Sequence, residues 1–165
     1  MGNDPQHAWA RAGVRWFAVV ALAATGMASA TVARRSHVAE RATEDLIGAV
    51  VRSDCQRVRA LLDAGGDPDT PSGLYRVTPL QFAARQGDRC TLDALVQGGA
   101  LLNARDRAGA TALFYAATGD DPAWTVARLL ELGADATLRN ELGLSAGELT
   151  DDPRAAALLT EATRR

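Results

Sequence analysis

From Thr43 onward the apolar residues fall in short helical stripes, separated by glycines and polar turns. Leu46, Ile47, Val50 and Val51 sit at i, i+1, i+4 and i+5, one side of a helix. Ser53-Asp54 breaks that stripe, and Asp54 can cap a second helix carrying Val58, Leu61 and Leu62. Gly65-Gly66 suits the left-handed turn that ends it. The same order then recurs. Thr78-Pro79 opens a helix with Leu80, Phe82 and Ala83 on its buried side, and Gln81 completes a capping box. Gly87-Asp88 breaks this helix, Leu92, Leu95 and Val96 line the next, and Gly98-Gly99 closes it. A third unit runs from Thr111 through Leu113, Tyr115, Ala116 and Ala117, then Val126, Leu129 and Leu130, to Gly133. It carries one extra residue around Gly119-Asp120-Asp121-Pro122, where Pro122 suits a first helical turn. Ser145 and Glu148 form a second capping-box match, and Pro153 opens a short closing helix with Leu158 and Leu159.

Gly65, Gly99 and Gly133 are 34 residues apart each time, and Thr78 and Thr111 are 33 apart. A fixed period of that length marks a solenoid, whose units cannot bury their apolar faces alone. Turn chemistry separates the units, in Asp67-Pro68-Asp69-Thr70-Pro71-Ser72-Gly73, Asn103 to Gly109 and Asn140-Glu141-Leu142-Gly143. The pattern predicts an all-α chain of about four helix-turn-helix units over residues 43–163. Its first and last units are atypical and polar, as end units facing water should be.

At Thr78-Pro79-Leu80-Gln81-Phe82-Ala83-Ala84, Gly87-Asp88 and Gly99-Ala100-Leu101-Leu102-Asn103-Ala104 the chain resembles the ankyrin repeat. The third unit matches through Thr111-Ala112-Leu113, Ala116-Ala117, Leu129-Leu130 and Gly133-Ala134-Asp135. The resemblance implies an ankyrin-repeat solenoid of paired antiparallel helices joined by outward hairpin loops in a curved stack. It implies binding to another protein through the hairpin tips and the concave helix face, with no catalysis and no cofactor. Gln81 and Phe114 stand where that family usually has histidine, whose hydrogen bonds tie neighbouring turns together. Gln81 can supply such a bond and Phe114 cannot, which leaves the third unit without that tie.

Ahead of the repeats lies a different kind of segment. Arg11 and Arg15 precede an uncharged run from Trp16 through Met27, which ends at the small-residue triplet Ala28-Ser29-Ala30. Residues 1–30 therefore read as a secretory signal peptide cleaved after Ala30. The rival is an uncleaved inner-membrane anchor, since Trp16 to Ala33 is 18 residues, near the lower end of a bilayer span. Arginines on both sides give little orientation bias. Residues 31–42 read as a polar linker.

Composition narrows the function. The net charge is -2, and from Thr31 onward 16 arginines face 19 acidic residues, so nothing argues for nucleic acid. Every basic side chain but histidine is arginine, which beside so much alanine suggests a GC-rich bacterial genome. Both histidines, His7 and His37, lie outside the repeats. That removes Ser/His and Cys/His nucleophile arrangements and the usual zinc sets from the folded part. Asp120-Asp121 and Asp151-Asp152 read as helix-start charges favoured by the macrodipole.

Two sets of candidates remain. Cys55 lies ten residues before Gly65 and Cys90 nine before Gly99, so both fall near the start of the second helix in adjacent units. They are either a disulfide stapling those units in an oxidising compartment or two free, partly buried thiols. Equivalent positions in stacked helices are about 10 Å apart, beyond bridging range unless the one-residue offset helps. Tyr75, Arg76, Arg105, Arg107, Arg139 and Phe114 are the candidate protein-binding residues, because Tyr and Arg are enriched at interface hot spots. The competing reading makes the arginines solvated loop charges and packs Tyr75 on the next hairpin; Trp124 reads as packing. The expectation is a monomeric, exported bacterial protein that binds another protein in the periplasm without catalysis. Its alternatives are a membrane-anchored adaptor, touching the membrane only through its N-terminal segment, and an immunity-type inhibitor of a toxin.

Overall fold

The computed structural model describes residues 38–164. The apolar run, the cleavage position after Ala30, His7 and His37 lie outside the described residues. Helix α1 covers 38–51, followed by α2 (Cys55–Asp63), α3 (Pro79–Gln86), α4 (Arg89–Gln97), α5 (Ala112–Ala117), α6 (Pro122–Glu131) and α7 (Pro153–Ala162). A 3-10 turn, Ala146–Glu148, precedes α7. There is no strand among the described residues, only the bridges Ser72–Val77 and Arg139–Ser145.

Helices α2, α3, α4 and α7 begin where short polar side chains satisfy their first amides, whereas Thr111 and Asp121 precede α5 and α6 without such a bond. Asp54 accepts from the Arg57 N–H, Asp88 from the Thr91 N–H, and Asp152 from those of Arg154 and Ala155. At α3 the capping box is complete: the Gln81 N–H donates to Thr78 Oγ1, and the Thr78 N–H donates at 2.8 Å to Gln81 Oε1. At the 3-10 turn the arrangement is one-sided: the Ser145 N–H and hydroxyl both donate to Glu148 Oε2 at 2.7 Å, and the Glu148 N–H donates to the Ser145 backbone carbonyl. None of the helices from α2 to α7 exceeds 10 residues. Helices that short are marginal in isolation, so packing supplies their stability.

That packing runs along the chain in two rows. Helix α3 packs on α5, α2 on α4, and α5, α6 and α7 pack in succession. Leu46, Val50, Val58, Leu80, Leu92, Leu95, Leu113, Val126, Leu129 and Leu159 are buried along the stack. Each contributes about 1.5–3 kcal/mol by leaving water. Ala83, Ala84, Ala116 and Ala117, also buried, let α3 and α5 approach closely. Longer side chains link α4 and α6: Arg128 pairs with Asp93 at 2.9 Å, and Arg89 pairs with Asp121 at 3.2 Å.

Two details depart from the sequence pattern. Residues 38–42, read as the end of the linker, are already helical, and Ala42 is buried. Ala39 and Ala42 lie against the Gly65-Gly66 turn, and Thr43 Oγ1 accepts from the Asp67 N–H, so this turn of helix has a surface to pack on. Val51, read as part of the buried stripe, is exposed at the end of α1. Its carbonyl instead accepts from Gln86 Nε2 at 3.0 Å, tying the first unit to the second.

Candidate docking surface

The turns between units are three fingers, each closed by backbone hydrogen bonds across its base. Ser72 N–H donates to Val77 O, Asp106 N–H to Ala110 O, and Asn140 N–H to Leu144 O. In the second finger Asp106 Oδ1 accepts from the Ala108 and Ala110 amides, both at 2.8 Å. In the third, Asn140 Oδ1 accepts from those of Leu142 and Leu144. These are Asx turns, in which a short side chain replaces a backbone partner.

The fingers are also tied to one another. Arg107 N–H donates to Tyr75 O at 2.8 Å, and Glu141 N–H donates to Ala108 O at 2.9 Å. Lower down, Leu101 N–H donates to Asp69 Oδ1 and Asp135 N–H to Asn103 Oδ1. The tips therefore form a row held at backbone level, with little loop entropy left to lose on contact with a partner.

The candidate residues divide on this row. Tyr75 is 64% exposed at the first tip, and Arg76 beside it is exposed. Arg107 is exposed on the second finger. Arg105 donates to the Arg139 carbonyl. The Arg139 guanidinium donates to Gly143 O and pairs with Glu148 at 3.1 Å. Arg105 and Arg139 thus brace the second and third fingers, while Tyr75, Arg76 and Arg107 face outward.

Phe114 requires correction. It is not an exposed contact residue: only 4% of it is accessible, because α5 turns its ring inward. It forms part of the floor of a 170 Å³ cleft lined also by Ala110, Tyr115, Thr118, Asn140 and Leu149. Phe114 supplies no tie forward to the third finger, and the hydroxyl of the next residue reaches back to the finger before its own helix instead. Tyr115 OH donates at 2.8 Å to Asp106 Oδ2, fastening α5 to the second finger. Burial, then the Asp106 carboxylate, push the Tyr115 phenol up to about 12.

The cysteines are joined. Cys55 Sγ and Cys90 Sγ are bonded, with the Cα atoms 5.8 Å apart. Trp124 packs under the Arg89 guanidinium, 4.5 Å from its ring centroid. Asp121 and Asp152 stand at the starts of α6 and α7. Among the described residues no three His, Cys, Asp or Glu side chains are grouped to hold a metal ion, and no helix is long and apolar enough to cross a membrane.

Sequence reasoning missed Leu74 and Leu142, which are 74% and 81% exposed on the first and third fingers. The available signal was a large aliphatic residue inside an otherwise polar turn. Residues 46–140 match the family model described as Ankyrin repeats (3 copies). No curated protein matches the chain.

Proposed function

Because the chain belongs to the ankyrin-repeat family, whose members generally act as protein–protein interaction modules, we propose that it is a non-catalytic binding module working in the bacterial periplasm after export. The observation that carries the binding reading is the finger row: exposed Tyr75, Arg76 and Arg107 on tips held together by backbone bonds. Export is supported by the arginine-led apolar run ending at Ala28-Ser29-Ala30. The Cys55–Cys90 bond supports it independently, since such bonds persist in oxidising compartments. The module acts as a monomer and needs no cofactor.

Two measurements test this. N-terminal sequencing of the protein recovered from the envelope should begin at Thr31; an intact Met1 in the membrane fraction would replace the free module with a tethered adaptor. Partners recovered from envelope extract should be lost from a Tyr75→Ala, Arg107→Ala double variant. Unchanged recovery would clear both residues of a binding role.

A further inference from the structure

The first finger is built differently from the other two. Asp106–Ala110 and Asn140–Leu144 close with a left-handed glycine before the last residue, Gly109 and Gly143, both at φ 75°. The first finger, Ser72–Val77, is one residue longer, and the residue in the glycine's place is Arg76, at φ 57°. A side chain with a Cβ is unfavourable in that conformation, and glycine is its usual occupant. One other non-glycine residue among those described is left-handed, Ser53, and it merely closes α1 as Gly87 closes α3. Arg76 instead stands in the open on a finger tip, where a strained backbone points to a use for the side chain.

Its neighbours indicate which use. The longer loop sets Leu74 beside Tyr75, two large apolar side chains in succession and both mostly exposed. Ala108 holds the place of Tyr75 on the second finger, and Arg107, exposed there, is bonded through its amide to the Tyr75 carbonyl. Neither the Arg76 nor the Arg107 guanidinium makes an ion pair or hydrogen bond among the described residues. Yet residues 38–164 hold 13 arginines against 19 acidic residues, so carboxylates are abundant elsewhere on this domain. An exposed apolar pair with two uncompensated cations beside it, on an acid-rich body, is complementary to a segment with the opposite charge.

We infer that the first finger is the anchor for an acidic segment of another protein, carrying one aliphatic or aromatic side chain. Leu74 and Tyr75 cover that side chain, and Arg76 and Arg107 take carboxylates beside it, the charge-assisted contact that guanidinium makes well. This rests on the protein-binding reading above and specifies the partner's chemistry.

The test uses the full chain and fluorescein-labelled 12-residue peptides in which one Leu or Phe is flanked by Asp and Glu, with lysine-flanked counterparts. The acidic peptides should bind at least about tenfold more tightly, with affinity falling as salt rises. Arg76→Gly should raise the thermal midpoint, because glycine suits the backbone there, and still lose about tenfold in affinity. Arg107→Ala should lose a similar factor, and Arg59→Ala on α2 should lose nothing. Equal binding of acidic and basic peptides, or wild-type affinity in Arg76→Gly, overturns the inference. A photocrosslinking amino acid placed in envelope-expressed protein at Leu74, Thr118 or Arg59 separates this from the broader reading. Crosslinks from Leu74 to acidic peptides support the anchor. Crosslinks only from Thr118 or Arg59 overturn it and leave the binding module standing, and crosslinks from none overturn both.

Discussion

The side-chain amide of Gln81 donates at 3.0 Å to the carbonyl of Ala110, one finger further along the chain. It also donates to Ala104 O at 2.9 Å, while its own oxygen accepts from the Thr78 amide. One fully buried side chain thus caps its own helix and holds the chain on both sides of the next finger. Gln81→Ala leaves two carbonyls and an amide without that partner. We expect a loss of about 2–4 kcal/mol, read by urea denaturation, against less than about 0.5 kcal/mol for the exposed Gln97→Ala.

Gly119 marks the extra residue of the third unit. The Asp120 amide beside it donates to Arg85 O at 2.9 Å, locking the α5–α6 turn to the end of α3. A Cβ at position 119 would lie 2.3 Å from that same carbonyl, a backbone atom that cannot swing away. Gly119→Ala should therefore cost about 2 kcal/mol or more and weaken amide protection at Asp120 in hydrogen exchange.

The Cys55–Cys90 bond closes a loop of 35 residues between the first two units. Chain-entropy reasoning assigns a loop of that size about 3–4 kcal/mol. Reduction, or the Cys55→Ser, Cys90→Ser double variant, should lower the midpoint of unfolding accordingly. Mass spectrometry of the non-reduced, alkylated protein should find no added label; two labelled thiols would refute the bond.

Tyr115 gives the domain an alkaline limit. Its folded pKa of about 12 exceeds the ordinary 10.0, so folding favours the protonated phenol. The stability this contributes is fully present below pH 10 and is lost as pH rises from there through about 12. Thermal midpoints should fall more steeply over that window in the wild type than in Tyr115→Phe. Equal slopes would assign the Tyr115–Asp106 contact no such role.

Most of the repeat architecture was legible from the chain because its signals are local. Asp54, Thr78 and Asp152 stand directly before their helices, and a capping side chain reaches an amide only two or three residues ahead. The left-handed glycines Gly65, Gly99 and Gly133 closed units at a period that could be counted without coordinates. The candidate surface was only partly legible. Tyr75, Arg76 and Arg107 do lie exposed at the tips, whereas Arg105 and Arg139 are engaged in bracing and Phe114 is buried.

What the chain alone determined was therefore the period, the helix starts and the turn positions, each set by interactions within a few residues. Tertiary structure decided the rest, because these outcomes depend on how one unit is rotated and shifted against the next. Cys55 and Cys90 occupy places one residue out of step, and the packing of α2 on α4 brings their Cα atoms to 5.8 Å where in-step positions would be about 10 Å apart. The rotation of α5 likewise turned Phe114 into the core and aimed the Tyr115 hydroxyl at Asp106. A helix is periodic at 3.6 residues, so one residue of register turns a side chain by about 100°, and only contact with the neighbouring unit fixes that angle.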